Sequence, residues 1–279
     1  MKKVLFVFVF AAILTFLILL IYEYYILPKL TVENIQVPTS SELVYDENKD
    51  EDIIVEFVKK EDINMQMSVI GDIMCHNSQY KDAYIGNSYD FSYVFEDIKK
   101  YIDSADIAIG NLETTFAGSA KGYSNYPRFN TPEQLANNLK DFGIDVVSTA
   151  NNHCLDTGYF GLDSTLNFLD EVGISHTGTS RSKEEQDTIL IKDVNGIKIA
   201  FLAFTYGTNG IPVPNGQDYC VNLIDDDFIL EQLKLAKAQN PDLICASMHW
   251  GIEYQTTQNA EQERLANLLF TNRCWYYFR

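Results

Sequence analysis

The chain has 279 residues, is 46% apolar and 13% aromatic, and carries a formal net charge of −18. That apolar share supports a sizeable core. The charge excludes nucleic acid as a partner, because a phosphate backbone needs a basic footprint, and it disfavours an anionic membrane surface. An anionic substrate stays compatible with it, since bound divalent cations invert the local field.

Behind Lys2 and Lys3, Val4 to Tyr22 is an uncharged run of 19 residues. As a helix it is about 28 Å long, close to the roughly 30 Å of a bilayer's hydrocarbon core. The lysines before it and Glu23 after it set the N-terminus inside. Ile21 to Tyr25 offers no small-x-small site for signal cleavage. The expectation is one uncleaved N-terminal transmembrane helix within an anchor of residues 1–28. The protein is then single-pass in the cell membrane, with a cytoplasmic N-terminus and an extracellular main domain.

Residues 29–62 hold Pro38, Thr39, Ser40 and Ser41, then an acid-rich stretch from Glu42 to Asp52. This composition reads as a linker or stalk, with Ile53 to Val58 a candidate edge strand. Residues 63–279 alternate strand and helix. Strand-like runs are Ser68–Ile70, Asp106–Ile109, Asp145–Ser148, Ile197–Phe204 and Leu243–Ala246.

Helices are expected over Phe91–Ile102, from a capping-box Thr131 and Pro132 to Gly143, along Leu162, Leu166 and Leu169 to Gly173, over Asp225–Gln239, and over Thr257–Phe270. Such alternation indicates an α/β domain. Five cysteines at scattered spacings include no CxxC pair, and their odd number excludes complete pairing. They read as small buried apolar residues; Cys75 and Cys154 are left out of the ligand set.

A polar cluster follows each strand-like run: Gly71–His76, Gly110–Glu113, Ala150–His153, Thr205–Asn209 and His249–Tyr254. In open α/β sheets, ligands bind beyond the carboxyl ends of the strands. Asp, Glu, Asn and His gathered there supply oxygen and imidazole ligands for Mn, Fe, Zn or Mg.

Asp72 is a candidate first ligand, with Gly71 read as allowing a tight bend before it. Its bland alternative is a turn cap. His76 is either a second ligand or a pocket wall. Asn111 and Glu113, two apart in extended chain, project to one side. Glu113 is placed to bridge two cations, whereas Asn111 could equally be a turn former. Asn152 offers a carbonyl oxygen. His153 beside it is a candidate general acid, with Asp156 near enough to orient its ring. His249 is the best single imidazole ligand, and Trp250 and Tyr254 would wall the pocket. Glu253 either binds substrate or holds its loop, and His176 reads as structural. Two ions about 4 Å apart in such a site activate water for metal-assisted hydrolysis.

Gly71-Asp72-Ile73-Met74, Asn111-Leu112-Glu113-Thr114, Ala150 to Gly158 and His249-Trp250-Gly251-Ile252-Glu253-Tyr254 resemble the CapA, or PgsA, proteins of capsule (poly-γ-glutamate) synthesis. Phe129-Asn130-Thr131-Pro132 and Gly173 to Gly178 fit the same pattern, and the similarity runs from about residue 65 to 271. The resemblance implies a calcineurin-like metallophosphoesterase fold, a sandwich of two β-sheets flanked by helices.

It also implies two divalent metals at Asp72, Glu113, Asn152 and His249, with His153 as the acid. The superfamily's first block is usually Asp-x-His, and here Ile73 and Met74 follow Asp72. The implied partners are membrane proteins of capsule polymer synthesis and export, together with the anionic polymer. The alternatives are a non-catalytic polymer-assembly subunit or an inactive frameshifted fragment. The last follows from the tail Arg273 to Arg279, which departs from the family. Read one base out of frame, its codons approach the family's Gly-Ala and apolar strand. The expectation is a C-terminally truncated domain lacking a strand and a histidine loop.

Overall fold

The structure is a computed structural model that describes residues 62–272, 274 and 276–278. The expected membrane helix, the stalk and the strand Ile53–Val58 lie outside the described residues. Among the described residues, no helix is long and apolar enough to cross a membrane.

Two four-stranded sheets form the domain. The first holds β1 (Met67–Ile73), β2 (Ile107–Leu112), β3 (Val146–Ser148) and β4 (Ser175–Thr177), in that order and all parallel. The second holds β5 (Leu190–Val194), β6 (Ile197–Thr205), β7 (Leu243–His249) and β8 (Tyr276–Phe278). There β5 runs antiparallel to β6, and the other pairs are parallel. The helices are α1 (Asn77–Asp82), α2 (Lys99–Asp103), α3 (Gln134–Phe142), α4 (Gly158–Val172), α5 (Lys183–Asp187), α6 (Asp226–Ala238) and α7 (Ala260–Thr271).

Strand alternation explains the layering. Ile107 and Ile109 of β2, Val146 of β3, Ile199 and Phe201 of β6 and Cys245 of β7 form one buried cluster joining the sheets. Their neighbours point the other way. Ala108, Leu112 and Val147 pack on Leu135 and Leu139 of α3 and Leu162 and Leu166 of α4. Leu202, Phe204, Ile244 and Met248 pack on Ile229 and Leu233 of α6 and Leu265 and Leu269 of α7. The order is therefore helices, sheet, sheet, helices. Each fully buried Leu, Ile or Phe contributes about 1.5–3 kcal/mol, so strands buried on both faces carry most of the stability.

A bulge in β1 decides where Asp72 points. Val69 pairs with Ile109, but Asp72 pairs with Asn111, so residues 70 and 71 together oppose Gly110. The extra residue reverses the alternation. Asp72 then shares the inter-sheet face with Asn111, while Ile70 and Ile73 pack toward the helices. Gly110 makes room for them: a Cβ there would lie 2.7 Å from Ile73 Cδ1 and 3.1 Å from Ile70 Cγ1. Gly71 needs no such explanation, since a Cβ would meet nothing within 4 Å.

The two α/β helices expected at Leu162–Leu169 and Asp225–Gln239 are α4 and α6. Three expectations change. Phe91–Ile102 is not one helix: 3-10 turns cover Ser92–Val94 and Glu96–Ile98 before the short α2. Side chains of Asn138 and Asp90 take the backbone N–H groups of Phe91 and Ser92, which turns the chain there. Thr131 caps no helix; buried, it shares a 2.7 Å hydrogen bond with Thr114, and α3 starts three residues later. The last helix starts at Ala260, capped by Asn259 with Gln262 closing the capping box. Within the tail, residues 276–278 pair with β7 in parallel, so a three-residue strand follows β7 where a strand was expected to be lacking.

Gly178 fastens the loop after β3 to the second sheet. Its φ is +109°, and a Cβ would stand 2.6 Å from Ala150 Cβ, 2.8 Å from Ala150 N and 2.9 Å from Ala203 Cβ. Gly178→Ala is expected to cost about 1–3 kcal/mol, read as a melting temperature lower by several degrees. Divalent-cation affinity should weaken with it, because Ala150 leads directly into Asn151–His153. An unchanged melting curve would contradict this packing.

Candidate metal centre

The face that is apolar between the sheets turns polar at the strands' carboxyl ends. On β2 the series Ile107, Ile109 continues as Asn111 and then Glu113; on β7, Cys245 continues as Ser247 and His249. The β1 bulge adds Asp72. One ligand atom from each of Asp72, Glu113 and His249 lies within 4.8 Å of the others. Ligands about 2.1 Å from one ion lie roughly 3–4 Å apart. Glu113 Oε1 is 3.9 Å from His249 Nε2, and Asp72 Oδ1 is 3.9 Å from His249 Nδ1. The two carboxylates thus face opposite nitrogens of the His249 ring, and the donor chemistry fits a divalent cation.

Asn152 joins this set through its Oδ1, which is 2.9 Å from His249 Nε2. His153 lies beside it, 3.9 Å from Glu113 Oε1 through Nε2. Its Nδ1 donates to buried Asp156 at 2.7 Å, so the carboxylate fixes the ring and leaves Nε2 facing the site. Asp156 is itself held by the backbone N–H of Phe129 at 2.6 Å. The edge-on contact of Phe129 with His153, at 4.7 Å between ring centres, closes that side.

Asn111 is central but presents its amide nitrogen. Nδ2 donates to Asp72 Oδ1 at 2.9 Å and lies 3.4 Å from both Glu113 Oε2 and His249 Nδ1. Its Oδ1 accepts from Ser148 at 3.0 Å and Asn151 at 3.2 Å. Asn111 therefore orients the carboxylates rather than adding an oxygen. His76 is not brought to the cluster. It is exposed at the start of α1, and its ring meets Phe129 edge-on, 5.1 Å between ring centres. Glu253 sits on the exposed stretch 252–256, and its charge adds to burial in raising the pKa of Glu113 and of Tyr206. His176 pairs with Asp170 at 3.2 Å, away from the cluster.

Electrostatics mark the site. Burial and the neighbouring Asp72 push the Glu113 carboxyl up to about 9. Burial holds the His249 pKa below the ordinary histidine value, against the pull of Asp72. Burial disfavours the charged form of each group, raising the carboxyl and lowering the imidazole; neighbouring carboxylates add only to the Glu113 shift.

Residue-by-residue reading missed two contributors in the Thr205–Asn209 cluster. Tyr206 stacks on His249 with ring planes 15° apart. Asn209, in the left-handed region at φ +50°, accepts from Asn152 Nδ2 at 3.2 Å and places its own amide 3.4 Å from His153 Nε2. Their place after a buried strand was the available signal. Ser148 was legible too, since it shares a strand face with Val146.

Fold and rim define an α/β protein with two packed sheets and a metal-type ligand cluster at the strand ends. Residues 66–272 match the family described as bacterial capsule synthesis protein PGA_cap, and the chain belongs to that family. It is 27% identical over 217 residues to the capsule biosynthesis protein CapA of Bacillus anthracis, covering 75% of this chain and 52% of that protein. It is 26% identical over 179 residues to the PGA biosynthesis protein CapA of Bacillus subtilis, covering 63% and 47%. The chain thus spans about half the length of the curated relatives it matches. A solved Staphylococcus aureus protein named as a proposed 5′-nucleotidase, in complex with α-ketoglutarate, is similar at a TM-score of 0.46 and 14% identity. That similarity covers 76% of this chain and 44% of the other.

Glu113 generates a pH prediction. The folded carboxyl keeps its proton between the ordinary 4.5 and about 9, whereas the unfolded one loses it above 4.5. The folded state then binds more protons, so stability falls as pH rises through that window. In chelator, Glu113→Gln is expected to melt near wild type at pH 5 and above it at pH 8. Each kcal/mol recovered raises the midpoint by roughly 2–4 °C. Added Mn²⁺ should stabilise wild type more than the variant. Parallel pH profiles for the two proteins would contradict the assignment.

Proposed function

We propose that this is a membrane-anchored capsule (poly-γ-glutamate) biosynthesis or export protein with a metallophosphoesterase-like site. The observation that carries the reading is the meeting of Asp72, Glu113 and His249 within 4.8 Å, in a chain of the capsule synthesis family. Asp72, Glu113, Asn152 and His249 would hold divalent metal, with two ions in a full-length homologue. When bound, such ions supply Lewis acidity and an activated water.

The chain's own groups do the rest. Asn111 and Tyr206 fix the ligands, and Asn209 steadies Asn152 and His153. Burial of Glu113 and His153 keeps bulk water from the inner wall. His153, its Nδ1 tied to Asp156, offers Nε2 as the group that protonates a leaving oxygen. The anchor sets this domain outside the cell membrane, beside membrane proteins of polymer synthesis and export, with the anionic polymer as cargo or substrate.

A second reading, a non-catalytic polymer-assembly subunit, is favoured by one feature. Met74 stands where the superfamily's first block usually carries histidine, which leaves one imidazole in the close three-residue cluster. Metal titration with hydrolysis assays on aryl and alkyl phosphoesters separates the two. Asp72→Ala and His249→Ala are expected to weaken Mn²⁺ binding by more than roughly 100-fold. His153→Ala should keep the metal and lose roughly 10²–10⁴-fold in turnover. Metal binding with no hydrolysis in wild type, and polymer made normally by all three variants, would establish the assembly reading instead. For the anchor, the full chain is expected in the membrane fraction, and deletion of residues 1–28 should release it. A soluble full chain would count against that placement.

A further inference from the structure

An apolar pocket opens beside the ligand cluster, on the other side of the β1 edge. Ile70, Ile73, Phe91, Val94, Phe95 and Ile98 line it, and its volume is about 280 Å³. Pockets for whole small ligands usually run from roughly 300 to 1,000 Å³, so this one suits part of a larger molecule. Its mouth is open: Val94 and Ile98 remain 40% and 37% exposed. Gly71 and Asp72 belong to its wall, and Asp72 also belongs to the cluster with Glu113 and His249.

Gly71 is the second observation. Neither a positive φ nor close packing demands a glycine there, because a Cβ would meet nothing within 4 Å. The missing side chain leaves a bare sill between pocket and cluster. β1 is the edge strand of its sheet, so no further strand among the described residues covers that sill.

We propose that the pocket is a subsite for the hydrocarbon part of an amphiphile whose anionic head group lies at Asp72, Glu113 and His249, with Gly71 as the crossing point. This rests on the metal-site reading above. The cation at the cluster attracts the phosphate or carboxylate head; the aliphatic and aromatic wall takes the alkyl or isoprenyl chain. The energetic logic is ordinary transfer of methylenes from water to an apolar wall.

The test is calorimetry on the full chain in Mn²⁺ with methyl, butyl and octyl phosphate, and with octanol. Wild type is expected to bind more tightly as the chain lengthens, by up to roughly fourfold per added methylene, and to bind octanol far more weakly than octyl phosphate. Gly71→Val, whose Cβ would meet nothing within 4 Å, and Val94→Asp at the mouth should each remove the chain-length dependence. Val94→Asp should leave methyl phosphate affinity unchanged.

Equal affinity for all three phosphates overturns the subsite while the metal-site reading stands. Failure of methyl phosphate to bind at all overturns both. Octanol binding as tightly as octyl phosphate breaks the link between pocket and cluster and overturns the proposal. Concentration-dependent dimerisation abolished by Val94→Asp would assign the patch to a second copy of the chain, and would overturn it likewise.

Discussion

Everything at the rim depends on the contact between the two sheets' inner faces. Ile107, Ile109, Val146, Ile199, Phe201 and Cys245 are packed together, and that packing fixes how far apart β2 and β7 stand. Past the last apolar pair, the same faces present Asn111, Glu113 and His249. The separation suited to burying isoleucine against phenylalanine becomes the separation of carboxylate and imidazole. A close-packed core resists small volume changes, so the ligand spacing inherits the rigidity of the hydrophobic contact behind it.

The polar residues are held against a real cost. Glu113, Asn152, His153 and Asp156 are all at least 94% buried, and buried charges are tolerated only when paired or bound to metal. Hydrogen bonds answer part of this. Asn111 contacts both carboxylates, Asn152 takes His249, and Asp156 takes His153 together with the Phe129 amide. The remainder appears as the raised Glu113 pKa. A fold that crowds carboxylates in this way gives up stability that a bound divalent cation would return.

The strand-end clusters were legible because buried parallel strands read as short apolar runs and the polar residues that end them stand out. Parity then placed Asn111 with Glu113, and it would have placed Ser148 on the same face. What sequence order could not give was the bulge at residues 70–71. Counted as a regular strand, β1 would send Asp72 to the helix side. Nor could it show that Asn111 turns its nitrogen, not its oxygen, to the carboxylates, since that orientation is set by Ser148 and Asn151 from a different strand and loop. Nor could it choose between His76 as second ligand and His76 as pocket wall; in the fold its ring meets Phe129, which also packs on His153.

By itself the sequence determined the α/β class, the strand ends that carry polar residues, the family, and the candidate ligand types Asp, Glu, Asn and His. Those follow from local patterns, apolar runs and their punctuation, which need no partner to be read. Tertiary structure alone decided the bulge that turns Asp72 inward, the loop after β6 that lays Tyr206 on His249, the close approach at Gly178, and the apolar pocket across the β1 edge. Each of these depends on groups tens of residues apart being pressed together, and chain order carries no record of distance through space.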